Sequence, residues 1–478
     1  MSIPKFKQFI QLCWDSPTLM TWGSFLSKSL TLIVVLPFLL TRLSTAEISL
    51  WYLFMTIFSL QMVVDVGFSP TFTRVIAYAM GGATIHDLNA PGIQCCGILN
   101  RQTIGTIYST MRTVYVRLGI IWALLLSTAG TLVMIRPVAA VDNRISAWIS
   151  WWIIVSVSFF SLRGNIYSSY LQGMNQIALL RRWDILTSIG AISTSLLVLL
   201  GGGELLGLVI SNQGWQLISV LRNRWLARDL ENGLVCSCQS GSYSREVFDV
   251  VWPSVWRSGL GIFMSYGVVQ ASGIYYAQIG ETTAVASYLL GLRLIQTVSQ
   301  FSQAPFYSKL PMMARLYAEN RYDKMLFMAK RGMAYAHWTY VTGFIGLGLL
   351  GTPILKYIGS NAAFPDHILW SVMGAAFFVE RYGAMHIQLY STTNRIIWHI
   401  ANGLTGLIYI FFSIILFGKI GVLAFPLGML LGYLSFYSWY AASHAYKTFK
   451  MNFFVFEKGT VFLPFIVTLV YIAFNSLQ

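Results

Sequence analysis

The sequence predicts an all-α polytopic membrane protein: two six-helix lobes related by a parallel pseudo-repeat, followed by an extra C-terminal helix. Three observations predict it. The chain of 478 residues is 56% hydrophobic and only 10% charged, whereas a soluble domain carries about 25% charged residues. It holds thirteen apolar stretches near the ~20 residues that cross a bilayer. Its basic residues gather in every second segment between those stretches. A mean hydropathy of +0.63 agrees, and the 16 Trp and 25 Tyr suit the two membrane interfaces.

In chain order, the expected spans are 22–40, 48–68, 114–134, 147–167, 185–200, 205–221, 251–277, 284–307, 334–354, 368–389, 398–417, 422–440 and 460–475. Lys5 and Lys7 precede the first span, but no small-residue cleavage site follows it, so it is expected to be retained. The fifth and sixth spans are divided at Gly201-Gly202-Gly203. The last either spans or lies against the bundle. The expected organisation is an N-terminal lobe over 1–221, a cytoplasmic linker over 222–250, a C-terminal lobe over 251–440 and a C-terminal segment over 441–478. The longer segments 69–113, 222–250 and 308–333 are basic and amphipathic, which places them at headgroup level.

Charge sets the orientation. With a cytoplasmic N-terminus, the inner segments hold about 21 Lys and Arg, among them Arg74, Arg112, Arg181, Arg182, Arg222, Arg224, Lys330 and Arg331. The outer segments hold about 5: Arg42, Arg136, Arg144, Lys356 and Lys419. This is the positive-inside asymmetry. It accounts for the net charge of +15 as topology, so nucleic acid is not expected as a partner. Cys13, Cys95, Cys96, Cys236 and Cys238 fall in or near inner segments, where reduced thiols are expected.

Trp22-Gly23-Ser24-Phe25-Leu26 recurs as Trp256-Arg257-Ser258-Gly259-Leu260, and Ser69-Pro70-Thr71-Phe72-Thr73-Arg74 recurs as Ala304-Pro305-Phe306-Tyr307-Ser308-Lys309. The offsets, 234 and 235 residues, span six helices. An even number keeps both lobes in one orientation, the parallel type of repeat found in transporters.

With its six-plus-six layout, a basic residue in the first span and the run Asp65-Val66-Gly67-Phe68-Ser69-Pro70 with Arg74 behind it, the chain resembles the Wzx-type (O-antigen) polysaccharide flippases of the multidrug/oligosaccharidyl-lipid/polysaccharide (MOP) exporter superfamily. The likeness covers roughly residues 20–440, and its motif is the "D-x-G" ending of the second helix; 441–478 departs from the twelve-helix layout. The resemblance implies two lobes that alternate between inward-open and outward-open states. It implies a lipid-linked oligosaccharide, joined through a diphosphate to a polyprenol, moved to the periplasmic leaflet of a bacterial inner membrane. Membrane lipids and polysaccharide assembly proteins are the implied partners.

The residues themselves concentrate interest on charges within the spans. Arg117 and Arg163 lie about one turn from an inner end and snorkel out. Lys28, Arg257, Arg293 and Arg381 lie deeper. Each costs about 2.5–3.5 kcal/mol at the bilayer centre, so such groups are expected to face water or a partner. A cationic, wet cavity suits a diphosphate, which guanidinium binds with a planar fork of donors. Arg293, Gln296, Thr297 and Gln300 share one helix face, as do Ser24, Lys28 and Thr31; these stripes either line the cavity or pack helices. Lys28 either contacts substrate or pairs with Asp65. Adjacent Glu380 and Arg381 point about 100° apart on a helix and need not pair. Arg74 and Lys309 are expected as anchors at the inner surface, and His386 and His399 as packed histidines.

The competing reading is a cation-coupled multidrug or metabolite antiporter of the same superfamily. It requires embedded carboxylates, and only Asp65 and Glu380 qualify against the four deep cations. No Walker-type loop, HExxH or metal-ligand spacing occurs, so no cofactor, metal or ATP hydrolysis is expected. A membrane polymerase or glycosyltransferase would need a large external loop or soluble domain, and none is predicted.

Overall fold

The computed structural model describes residues 17–80, 82, 84, 85, 100–230, 243–307, 309–318, 321–393 and 397–476. Among them there are helices and turns and no strand. Cys13, Cys95, Cys96, Cys236, Cys238 and the side chains of Lys28 and Thr31 lie outside the described residues.

The helices are α1 (Pro17–Arg42), α2 (Thr45–Val64, with a break at Leu60), α3 (Phe68–Met80), α4 (Arg101–Ala139), α5 (Arg144–Gly173), α6 (Ile177–Leu200) and α7 (Leu205–Asp229). They continue with α8 (Arg245–Ile262, extended to Ile279), α9 (Thr282–Tyr307), α10 (Leu310–Ala318), α11 (Tyr322–Tyr357), α12 (His367–Ser391) and α13 (Trp398–Ile420). The last are α14 (Ala424–Gly432, extended to Phe449), α15 (Phe453–Glu457) and α16 (Phe462–Ser476). Every expected span coincides with a helix. Within the expected linker, α7 runs on to Asp229 and α8 begins at Arg245; Arg222 of α7 forms an ion pair with Asp184 of α6, 2.8 Å away, and donates to Thr187 at 3.0 Å.

Among the described residues, Thr45–Val64, Arg101–Ala139, Arg144–Gly173, Ile177–Leu200, Tyr322–Tyr357 and Trp398–Phe449 are long and apolar enough to cross a membrane. The last covers two expected spans and folds back at Gly421, whose φ of +57° is available to glycine at little cost. A Cβ on Gly428 would lie 3.0 Å from the Tyr409 carbonyl oxygen and one on Gly432 2.9 Å from that of Thr405; small residues let these two backbones approach. The helices bearing Arg257, Arg293 and Arg381 are comparably long but more polar. Leu132 and Ile414, 69% and 72% exposed, exemplify an apolar exterior that a soluble monomer does not carry. The chain is a multi-pass membrane protein.

The chain divides into two compact units, Met1–Gly259 and Leu260–Gln478, with the division inside α8. Within the first, α1 packs on α6, α3 and α5 on α4, and α7 on α5 and α6. Within the second, the latter part of α8 packs on α13, α10 and α12 on α11, and α14 on α12 and α13. The two lists match helix for helix when α1–α7 are set against α8–α14, which is the internal repeat expressed as packing. Its glycines follow: a Cβ on Gly164 of α5 would meet Val220 of α7 at 2.7 Å, and one on Gly383 of α12 would meet Tyr437 of α14 at 2.5 Å. The local match is looser, since Ser69-Pro70 open α3 whereas Ala304-Pro305 close α9.

Candidate functional site

In the N-terminal unit the polar centre is Asp65. The chain leaves α2 through Val66 and Gly67, with φ of +50° and +80°. A positive φ is strained for a β-branched residue. The surroundings hold it there. The buried Asp65 carboxylate accepts from the Ser69 amide at 3.0 Å and hydroxyl at 2.9 Å, capping the start of α3. Tyr115 of α4 donates to it at 3.0 Å and Asn165 of α5 at 3.4 Å. The turn lies directly against the first part of α8: a Cβ on Gly67 would sit 2.5 Å from Ser258 Cβ, and one on Gly259 would sit 2.1 Å from Val66 Cγ1. Arg74 of α3 donates to Ser254 of α8 at 3.1 Å. The Asp-x-Gly run is thus a capped reversal with a required close approach. Its partners Tyr115 and Asn165 were invisible to sequence reading, being 50 and 100 residues away.

Arg257 is exposed on α8, its guanidinium 5.9 Å from the neighbouring Trp256 ring. Ser24 is fully buried rather than open.

In the C-terminal unit the expected stripe on α9 is open. Arg293 and Gln300 are exposed, while Gln296 and Thr297 are half-buried, with Thr297 donating to the Arg293 carbonyl at 2.8 Å. Arg381 differs. Its side chain is 1% exposed, and Glu380 lies 3.2 Å from Nη2; these adjacent residues pair although helix geometry does not require it. Long side chains bridge the 100° between them. Arg381 also donates to Ser299. With its amide oriented to present the carbonyl oxygen, Gln303 accepts from Nη2 at 3.0 Å and Nη1 at 3.2 Å. Ser299 and Gln303 stand four residues apart on α9, a spacing that sequence reading could have noticed.

Neither Arg257 nor Arg293 makes an ion pair among the described residues. The two embedded carboxylates are both engaged, Asp65 with neutral donors and Glu380 with Arg381. No group of His, Cys, Asp and Glu suited to a metal occurs among the described residues.

The segment after α14, which sequence reading left without a role, supplies a buried acid. Glu457 of α15 is fully buried, 3.1 Å from Nε2 of His386 on α12, and accepts from Tyr446 and Thr460. Burial pushes its pKa up, but the contacts with His386, Thr460 and Tyr446 together outweigh this and hold it below the ordinary value of 4.5.

No known protein family matches the sequence, and no curated protein matches it. Solved structures do. A multidrug-resistance MATE transporter of the MOP superfamily, in an inward-facing conformation, aligns with a TM-score of 0.66 and 13% identity, covering 90% of this chain and 96% of that one. The lipid II flippase MurJ, inward closed, aligns at 0.62 and 13%, covering 96% and 98%. A Vibrio cholerae MATE transporter aligns at 0.58 and 14%, covering 94% and 97%. The chain has the fold of these transporters.

Proposed function

We propose that this multi-pass membrane protein is a flippase that moves a polyprenyl-diphosphate-linked oligosaccharide from the cytoplasmic to the periplasmic leaflet of a bacterial inner membrane by alternating access. Arg257 and Arg293 are its diphosphate-binding cations, joined by Lys28. Gln296, Thr297 and Gln300 serve sugar hydroxyls. The observation that carries the reading is the division of charge among the described residues: Arg257 and Arg293 are exposed guanidiniums without an acid beside them, and Asp65 and Glu380 are already engaged. A guanidinium with no acidic partner is disposed toward an anionic guest, and its fork matches phosphate oxygens. Arg381, enclosed with Glu380, Ser299 and Gln303, is assigned to positioning α9 beneath the Arg293 stripe rather than to direct contact. The lipid II flippase MurJ shares the fold, which supports a lipid-linked substrate.

The second reading, a cation-coupled multidrug antiporter, is favoured by the likeness to MATE transporters and by the enclosure of Asp65, where a proton or ion would sit. The two are separated by reconstituting the protein in liposomes. Translocation of a fluorescent polyprenyl-diphosphate oligosaccharide supports the flippase. Dye efflux that requires an ion gradient and is lost in Asp65→Asn supports the antiporter.

A further inference from the structure

A cavity of about 70 Å³ opens in the N-terminal unit among α4, α5 and α7. Tyr108, Arg112 and Tyr115 line it from α4, Arg163 and Tyr167 from α5, and Arg224 from α7. The spacing places each set on one face: i, i+4, i+7 on α4 and i, i+4 on α5. Three cations converging on one concavity repel one another, and no described carboxylate pairs with Arg163 or Arg224. Anchors serving only topology would splay toward separate headgroups. Here they are gathered around a volume several times the ~10–15 Å³ that one water needs, with tyrosine side chains on its wall. Tyr115 also donates to Asp65, so the cavity is coupled to the reversal that joins α2 to α3.

We propose that this cavity is a binding site for a phosphoryl anion, a terminal phosphate or diphosphate, held by Arg112, Arg163 and Arg224. Guanidinium–phosphate bonds are charge-assisted and frequently bidentate, and three guanidiniums match the three free oxygens of a terminal phosphate. The site uses none of Lys28, Arg257, Arg293 or Arg381, so it stands or falls separately from the flippase reading. The chemistry is common to a lipid phosphomonoester headgroup and to a free anion.

The test is calorimetric titration of the purified full chain with inorganic diphosphate and, separately, with short-chain dihexanoyl phosphatidic acid. Arg257→Gln/Arg293→Gln, which lacks two cations of the proposed transport site, serves as the parent for this titration and is expected to bind at least one probe, and adding Arg163→Gln/Arg224→Gln is expected to raise its Kd about tenfold or more. Binding of phosphatidic acid alone identifies a lipid headgroup; binding of diphosphate as well identifies the bare anion. Arg163 and Arg224 are exposed, so the variant is expected to fold. Arg163→Lys/Arg224→Lys, which keeps charge but loses the fork, provides a second series, expected to fall between parent and the Gln variant. No binding of either probe by the parent, or equal binding by the Gln variant, overturns the proposal.

Discussion

Arg381 and Glu380, consecutive residues on α12, form an ion pair 3.2 Å long although a helix points neighbouring side chains apart. The guanidinium is buried and the carboxylate only partly so, so the pair is asymmetric: the cation depends on the acid. Removing one partner of a buried pair costs about 3–5 kcal/mol, whereas replacing both with apolar groups is close to neutral. Glu380→Gln is therefore expected to lower the Tm of the purified protein, and Glu380→Leu/Arg381→Met to recover most of the loss. A double variant less stable than either single one would show that Ser299 and Gln303, rather than Glu380, set the energetics.

The turn after α2 makes a comparative prediction. Gly67 and Gly202 both have left-handed φ, +80° and +76°, but only Gly67 faces a neighbour, Ser258 Cβ, where a side chain would go. Gly202→Ala adds backbone strain alone, about 1–2 kcal/mol. Gly67→Ala adds overpacking of about 1–3 kcal/mol. Thermal unfolding in detergent should rank Gly67→Ala well below Gly202→Ala. Equal effects would remove the close approach between this turn and α8 from the account.

Glu457 predicts an acid limit. Its folded-state pKa is depressed, so its contribution to stability is fully present above the ordinary value of 4.5 and is lost as pH falls through the lower folded value. Limited proteolysis of the C-terminal segment should stay slow above pH 4.5 and accelerate below it. In Glu457→Gln the segment is expected to be cleaved faster at neutral pH, with the acid-induced increment reduced. A parent whose cleavage is flat from pH 7 to 3 contradicts this.

Much of the fold was legible in the sequence because apolar length and alternating loop charge act residue by residue: all thirteen expected spans coincide with helices. The partners of the embedded charges were not legible. Asp65 is held by Ser69, Tyr115 and Asn165, two of them on distant helices, while the side chain of Lys28, the partner that the sequence offers, lies outside the described residues. His386 is packed, as expected, but the acid it meets lies 71 residues later, in the segment that departs from the twelve-helix layout. Such contacts depend on which helix faces meet in three dimensions. Hydropathy patterns that make a helix cross the bilayer leave that choice open. That Arg293, Gln296, Thr297 and Gln300 share one face follows from the sequence alone because one helix carries them all.

The central claim is that the unpaired guanidiniums engage the diphosphate of the transported lipid, and Arg293 tests it most directly. The measurement is the initial rate of translocation of a fluorescent polyprenyl-diphosphate oligosaccharide in proteoliposomes, for the parent and for Arg293→Ala. Circular dichroism and melting temperature confirm that both are folded. Loss of an exposed charge should leave stability within about 0.5 kcal/mol, while loss of a charge-assisted bond to phosphate should weaken binding by about 1.5–3 kcal/mol. The account predicts a folded Arg293→Ala protein whose rate at limiting substrate falls at least tenfold; a folded Arg293→Ala protein that translocates at the parent rate would contradict it.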